Sequence, residues 1–214
     1  MQLITGLWLT AALLCLAFFA WYENWRGPLT PEEIEAYMGR FADNAESQTN
    51  QQTDPAVLHA FLDGDDGGEF FMLNLVRLRS RPVPDPVTGE KKSAPELMEG
   101  YTKKFFKELG KRAGHPAIMA GVKGGHIDSW GTAENPGWTN MGYMRYRSRR
   151  DLMELATDPQ FEGGHIYKLA AIPSTFSVPT KPQFSALAGP RVWVPMTLTL
   201  LAALASMGVL LFRP

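Results

Sequence analysis

The chain has 214 residues, with 21 Lys+Arg against 22 Asp+Glu and a formal net charge of -1. That balance gives no overall pull toward nucleic acid, so any basic patch has to be local. A single cysteine, Cys15, excludes an internal disulfide framework and a thiolate metal cluster within one chain.

The first element is "LITGLWLTAALLCLAFFAWY", a run of 20 residues without a charge at positions 3–22. At about 1.5 Å per residue, such a helix crosses a hydrocarbon core of roughly 30 Å. Trp21, Tyr22 and Trp25 follow as interfacial markers. No Lys or Arg precedes the run, and bulky Phe18, Phe19, Trp21 and Tyr22 fill its end, which argues against a cleaved signal peptide. Residues 1–26 therefore read as a transmembrane helix and its flank.

Residues 27–52 read as a capped helix and a polar linker. Thr30, Pro31 and Glu33 form a capping box, and Ile34, Tyr37, Met38 and Phe41 recur at helical spacing. "ESQTNQQ", residues 46–52, has no apolar content.

An α+β domain is expected over residues 53–180. A helix capped by Thr53 or Asp54 presents Val57, Leu58, Phe61 and Leu62, and "DGDDGG" ends it. These acids make a poor calcium loop, since Gly67 stands where a third ligand belongs, and a solvated turn is expected. "EFFMLNLVRLR", residues 69–79, is apolar on both faces and reads as a central strand. A Pro-rich loop leads to an amphipathic helix with Leu97, Met98, Tyr101, Phe105 and Leu109 on one face. Strands follow at residues 117–131 and 138–147, then one or two short helices, then a last strand "STFSVPT". The order strand, helix, strand, strand, helix, strand predicts a ferredoxin-like βαββαβ antiparallel sandwich with one open sheet face, suited to a second copy.

Residues 181–191 form a linker, and residues 192–214 carry a second transmembrane helix, "WVPMTLTLLAALASMGVLLF". Pro195 is expected in its first turn. Ala202 and Ser206 form a small-xxx-small pair that lets another helix approach closely. Two spans put both termini on one side of the membrane. Arg26, Arg40, Lys181 and Arg191 lean the soluble domain toward the cytoplasm.

One stretch, "GYMRYRSRRDLMEL", residues 142–155, is rich in arginine. Strand alternation puts Gly142, Met144 and Tyr146 on one face, opposite Tyr143, Arg145 and Arg147. Ser148 and Asp151 then cap a helix packed through Leu152, Met153, Leu155 and Ala156, with Arg149 and Arg150 as solvated first-turn residues. The reading is a strand-to-helix junction, with Arg145 facing a pocket or a partner.

"RYRSRRDLMELATDPQF…GHIYKLAAIPSTFSV" resembles the closing motif of a bacterial family of small domains of unknown function, and "DPAVLHAFL" with "FFMLNLVRLR" resembles its opening. The likeness covers about residues 53–179 and implies a ferredoxin-like, dimeric α+β barrel domain, here with an added span at each end in a bacterial inner membrane. It brings no established catalytic residues.

Arg145, His126, Tyr101 and Asn74 are the candidates for an active pocket if the domain is an enzyme. No histidine pair has metal-ligand spacing, and no phosphate loop or nucleophile elbow is present, so neither a metal nor a cofactor is expected. His115 reads as a turn residue, and His165 as a cap of the last helix. Trp130 and Trp138 flank a loop and are candidate interface residues, as are Ala202 and Ser206. The favoured function is an accessory subunit of a respiratory or photosynthetic membrane complex, with integral membrane partners. The alternative is a membrane-anchored, cofactor-independent monooxygenase- or isomerase-like enzyme acting on a small apolar or aromatic molecule.

Overall fold

A computed structural model describes residues 1–47, 53–158 and 164–212. The chain divides into two compact units, Arg26–Lys181 on one hand and Met1–Trp25 with Pro182–Pro214 on the other.

The terminal unit holds α1 (Gln2–Tyr22) and α7 (Pro190–Leu211), two long apolar helices that pack together. The Arg191 guanidinium donates to both Glu23 carboxylate oxygens at 2.6 and 2.8 Å and lies 5.6 Å from the Tyr22 ring centroid. Thr10, Thr199 and Ser206 donate to carbonyls four residues back, so these hydroxyls are satisfied within their own helices. Ala202 and Ser206 are the buried side chains of α7. Pro195 is not in the first turn. The helix begins earlier, with Gly189 as N-cap and Pro190 at the first position, so Pro195 lies inside it.

The other unit holds the remaining elements. These are α2 (Pro31–Ser47), α3 (Pro55–Asp63), β1 (Phe70–Arg77), β2 (Val83–Pro84), β3 (Lys91–Lys92), α4 (Ala94–Lys111), β4 (His115–Gly121), β5 (Asn140–Tyr146), α5 (Arg149–Ala156), α6 (His165–Ala171) and β6 (Ser174–Thr180). Four strands form one sheet in the order β4-β5-β1-β6, and each is antiparallel to its neighbours. β5 thus lies between β1 and β4, and β1 between β5 and β6. The protein is α+β with a four-stranded antiparallel sheet.

Each helix start has a local cause. The Thr30 hydroxyl accepts from Glu33 N–H, and a Glu33 carboxylate oxygen accepts from Thr30 N–H at 3.0 Å. Asp54 caps α3 by accepting from Ala56 N–H at 2.9 Å. Ser93 and Glu96 form a capping box at α4, and Ser148 accepts from Asp151 N–H at α5. The polar linker read at residues 46–52 begins two residues too early, because Glu46 and Ser47 continue α2; residues 48–52 lie outside the described residues.

The helix-facing side of the sheet carries Phe70 and Met72 from β1 beside Tyr146 and Met144 from β5. Against them pack Leu109, Phe105 and Tyr101 of α4, Leu155 of α5 and Phe61 of α3. Phe70 stacks on Tyr146 with ring centroids 5.1 Å apart, and Phe61 meets Phe70 edge-on at 5.2 Å. A second cluster joins Ile34 and Tyr37 of α2 to Leu62 of α3 and Met153 of α5. Glycine is required at Gly67, where φ is +71° and a Cβ would stand 2.7 Å from the Gly27 carbonyl carbon and the Pro28 nitrogen.

Several expectations about this unit need correction. The strand expected over residues 117–131 runs only from His115 to Gly121, because the chain leaves the sheet after the Val122 N–H bonds the Thr139 carbonyl. The Pro-rich loop contains the β2–β3 hairpin, whose turn is built on Asp85. That carboxylate accepts from Val87 and Thr88 N–H and from the Lys92 ammonium, and its pKa falls to about 2, chiefly through Lys92. The aspartates after α3 are not merely solvated: Asp65 is buried, accepts from Leu29 N–H at 2.8 Å and lies 3.5 Å from Arg149. Ala156 is exposed rather than packed.

Candidate functional site

Among the described residues, the α+β unit has two candidate binding surfaces. The first is the sheet face away from the helices. Strand alternation lines it with Phe71, Leu73 and Leu75 of β1, Tyr143 of β5, and Phe176 and Val178 of β6. Phe71 stacks on Tyr143 at 5.0 Å, and Trp138 meets Phe176 edge-on at 5.2 Å. Phe176 and Val178 are each 42% exposed, and Ile118 of β4 is 37% exposed. Phe71, Leu73, Leu75 and Tyr143 are half-buried, so among the described residues this face is apolar and partly exposed to water.

The second surface is a half-open cleft of about 760 Å³ between the helices and the β6 side of the sheet. Phe61 and Leu58 of α3, Met72 of β1, Leu152 of α5 and Ile172 supply apolar walls. Thr175 and Ser177 of β6 and Lys168 of α6 supply polar ones. The Thr175 hydroxyl donates to the Leu75 carbonyl at 2.8 Å and the Ser177 hydroxyl to Asn74 Oδ1 at 2.7 Å.

The candidates read from the sequence do not meet in one place. Arg145 does not line the cleft. It is 1% exposed, donates from Nε to Glu69 at 2.6 Å and from Nη1 to the Ala113 carbonyl at 2.7 Å, and so ties β5 to the start of β1 and to the α4–β4 turn. His126 lies in the exposed loop between β4 and β5, not on a pocket wall. Asn74 faces the helices, where its side-chain amide donates to the Met72 carbonyl and accepts from Ser177. Tyr101 belongs to the α4 core, stacked on Phe105 at 5.6 Å with the His165 ring 6.0 Å away, and burial raises its pKa. Trp130 is 80% exposed, whereas Trp138 is anchored on Phe176.

The arginines of the junction are not solvated either. Arg149 donates to the Phe61 carbonyl and lies over the Phe61 ring at 4.5 Å. Arg150 is 3% exposed and paired with Glu33. Arg147 holds Asp151 at 2.6 and 2.9 Å, and Glu154 pairs instead with Arg26 at 2.9 Å. His115 opens β4 with Nδ1 3.1 Å from the Pro116 carbonyl oxygen, and His165 is the first residue of α6 after the Gly164 N-cap. Among the described residues, no three His, Cys, Asp or Glu side chains gather to hold a metal ion.

Sequence reading missed Lys168. A lysine on a short helix after Gly-Gly looks solvated, yet its ammonium lies 5.6 Å from the Tyr101 ring centroid, and burial lowers its pKa. Burial, and then the Lys168 charge, also lowers the pKa of His165.

No protein-family model and no curated protein matches the chain. Among solved structures, it is similar to the RPA0582 protein of Rhodopseudomonas palustris, a protein of unknown function. The TM-score is 0.54 at 20% identity over 63% of this chain and 97% of that one. The methylated form of RPA0582 gives the same TM-score and identity, over 64% of this chain and 98% of that chain. The likeness is one of fold.

Proposed function

We propose that this protein is a membrane-anchored accessory subunit, a ferredoxin-like domain held between two transmembrane helices that docks onto a respiratory or photosynthetic membrane complex. The observation that carries this reading is the uncovered sheet face, where Phe176, Val178 and Ile118 meet water beside Leu73 and Tyr143. Support for the anchor comes from the two apolar helices of 21 and 22 residues, each long enough to cross a bilayer.

The test is purification of the tagged full-length chain in mild detergent. Membrane subunits are expected to co-purify in fixed stoichiometry, and Val178→Asp, which puts a charge on the open face, should release them while the melting temperature stays within a few degrees. A chain that purifies without partners refutes the accessory role. Should it purify as a homodimer dissociated by Val178→Asp, the face serves self-association instead.

A second reading, a membrane-anchored enzyme acting on a small apolar molecule without a cofactor, is favoured by the cleft alone. Arg145, His126, Tyr101 and Asn74 do not converge on it.

A further inference from the structure

The cleft described above is walled mostly by apolar side chains, and two charged residues line it. Asp54 uses its carboxylate to cap α3. Lys168 is different: among the described residues its ammonium makes no hydrogen bond and no ion pair, and it lies 5.6 Å from the centroid of the Tyr101 ring. Lys168 is half-buried, no carboxylate among the described residues pairs with its ammonium, and burial lowers its pKa. The neighbouring hydroxyls do not compete for an anion, because Thr175 and Ser177 spend their protons on the Leu75 carbonyl and on Asn74.

We propose that the cleft binds an apolar molecule with one anionic head, an aromatic or branched monocarboxylic acid, whose carboxylate meets the Lys168 ammonium. A volume of about 760 Å³ falls within the roughly 300–1,000 Å³ usual for small-molecule sites. The body of the ligand rests on Phe61, Leu58, Met72, Leu152 and Ile172. One unopposed lysine matches one negative charge. This site lies on the helix side of the sheet, so it stands apart from docking through the open face.

The experiment uses the full-length chain in zwitterionic detergent, with 2-naphthoate as probe and neutral 2-naphthamide as its isostere, after subtraction of binding to empty micelles. Naphthoate should bind on the order of tenfold more tightly than naphthamide, as a charge-assisted contact in a partly desolvated cleft requires. Lys168→Met should erase that preference and leave naphthamide binding intact, while Lys168→Arg should keep it. Ala156→Trp, which narrows the cleft from an exposed wall position, should weaken both probes and provides a second arm if Lys168→Met does not fold. Equal affinity for the two probes, binding of neither at millimolar concentration, a preference that survives Lys168→Met, or unchanged naphthoate binding in Ala156→Trp would each overturn the proposal.

Discussion

All three guanidinium nitrogens of Arg150 donate to protein. Nε and Nη2 donate to the Glu33 carboxylate at 3.1 and 2.7 Å, Nη1 to the Gly27 carbonyl at 3.0 Å and Nη2 to the Pro28 carbonyl at 3.1 Å. The fork fastens the first turn of α5 to the first turn of α2 and the loop before it. Truncation strands a carboxylate and two carbonyls, so Arg150→Ala should destabilise the fold by about 3 kcal/mol in chemical denaturation. The partner has a matching pH signature. Arg150 holds the Glu33 pKa at about 2, below its ordinary value of 4.5. A depressed carboxylate contributes stability above its unfolded pKa and loses it as pH falls through the folded one. Stability should therefore drop between about pH 4.5 and 2, and Glu33→Gln should flatten that slope. None of this was legible from the sequence, where Arg150 stands among four arginines that look like a solvated patch. Its partner lies 117 residues away, and spacing along the chain carries no trace of so distant a pairing. The Ser148–Asp151 cap lay within three residues and was readable.

At the scale of elements, α2 and α3 are joined by a histidine clasp at the surface. His59 of α3 stands 2.9 Å from Asp63 through Nδ1 and 3.1 Å from Glu35 of α2 through Nε2. Hydrogen bonds to Glu35 and then Asp63 raise its pKa above the ordinary 6.5. The sign is opposite to that of Glu33. A raised histidine contributes stability that is fully present below about pH 6.5, its unfolded pKa, and fades as pH rises through the folded value. An NMR titration of the His59 ring should show a midpoint above 6.5 that returns toward it in Glu35→Gln; a midpoint at or below 6.5 in the native chain would contradict the clasp. Helices were the readable elements, because caps and amphipathic faces are local, and Leu97, Tyr101, Phe105 and Leu109 repeat within α4 itself. Strand limits were not, since a strand ends where its neighbour stops accepting hydrogen bonds. β4 stops at Gly121, opposite Asn140, although apolar residues continue past it. The cleft was hidden for a related reason: Lys168, Thr175 and Met72 come from three elements that only the completed sheet and helices bring together.

At the scale of the whole molecule, the order of elements predicted a four-stranded antiparallel sheet, and the sheet β4-β5-β1-β6 is one. Among the described residues, the two outer strands, β4 and β6, each have one rim without a partner strand. Such rims invite another chain to extend the sheet. β6 has Pro179 opposite Met72, and β4 has Pro116 followed by a register break before Ile118. A proline offers no N–H to an incoming strand, and an irregular register bends the rim away from a straight template. Growth of the sheet sideways into fibrils is thereby discouraged at both ends. Heat-stressed protein should then yield amorphous precipitate, and Pro116→Val with Pro179→Val should raise thioflavin T fluorescence well above that of the native chain. If the native chain fibrillises as readily as the variant, the prolines do not guard the rims.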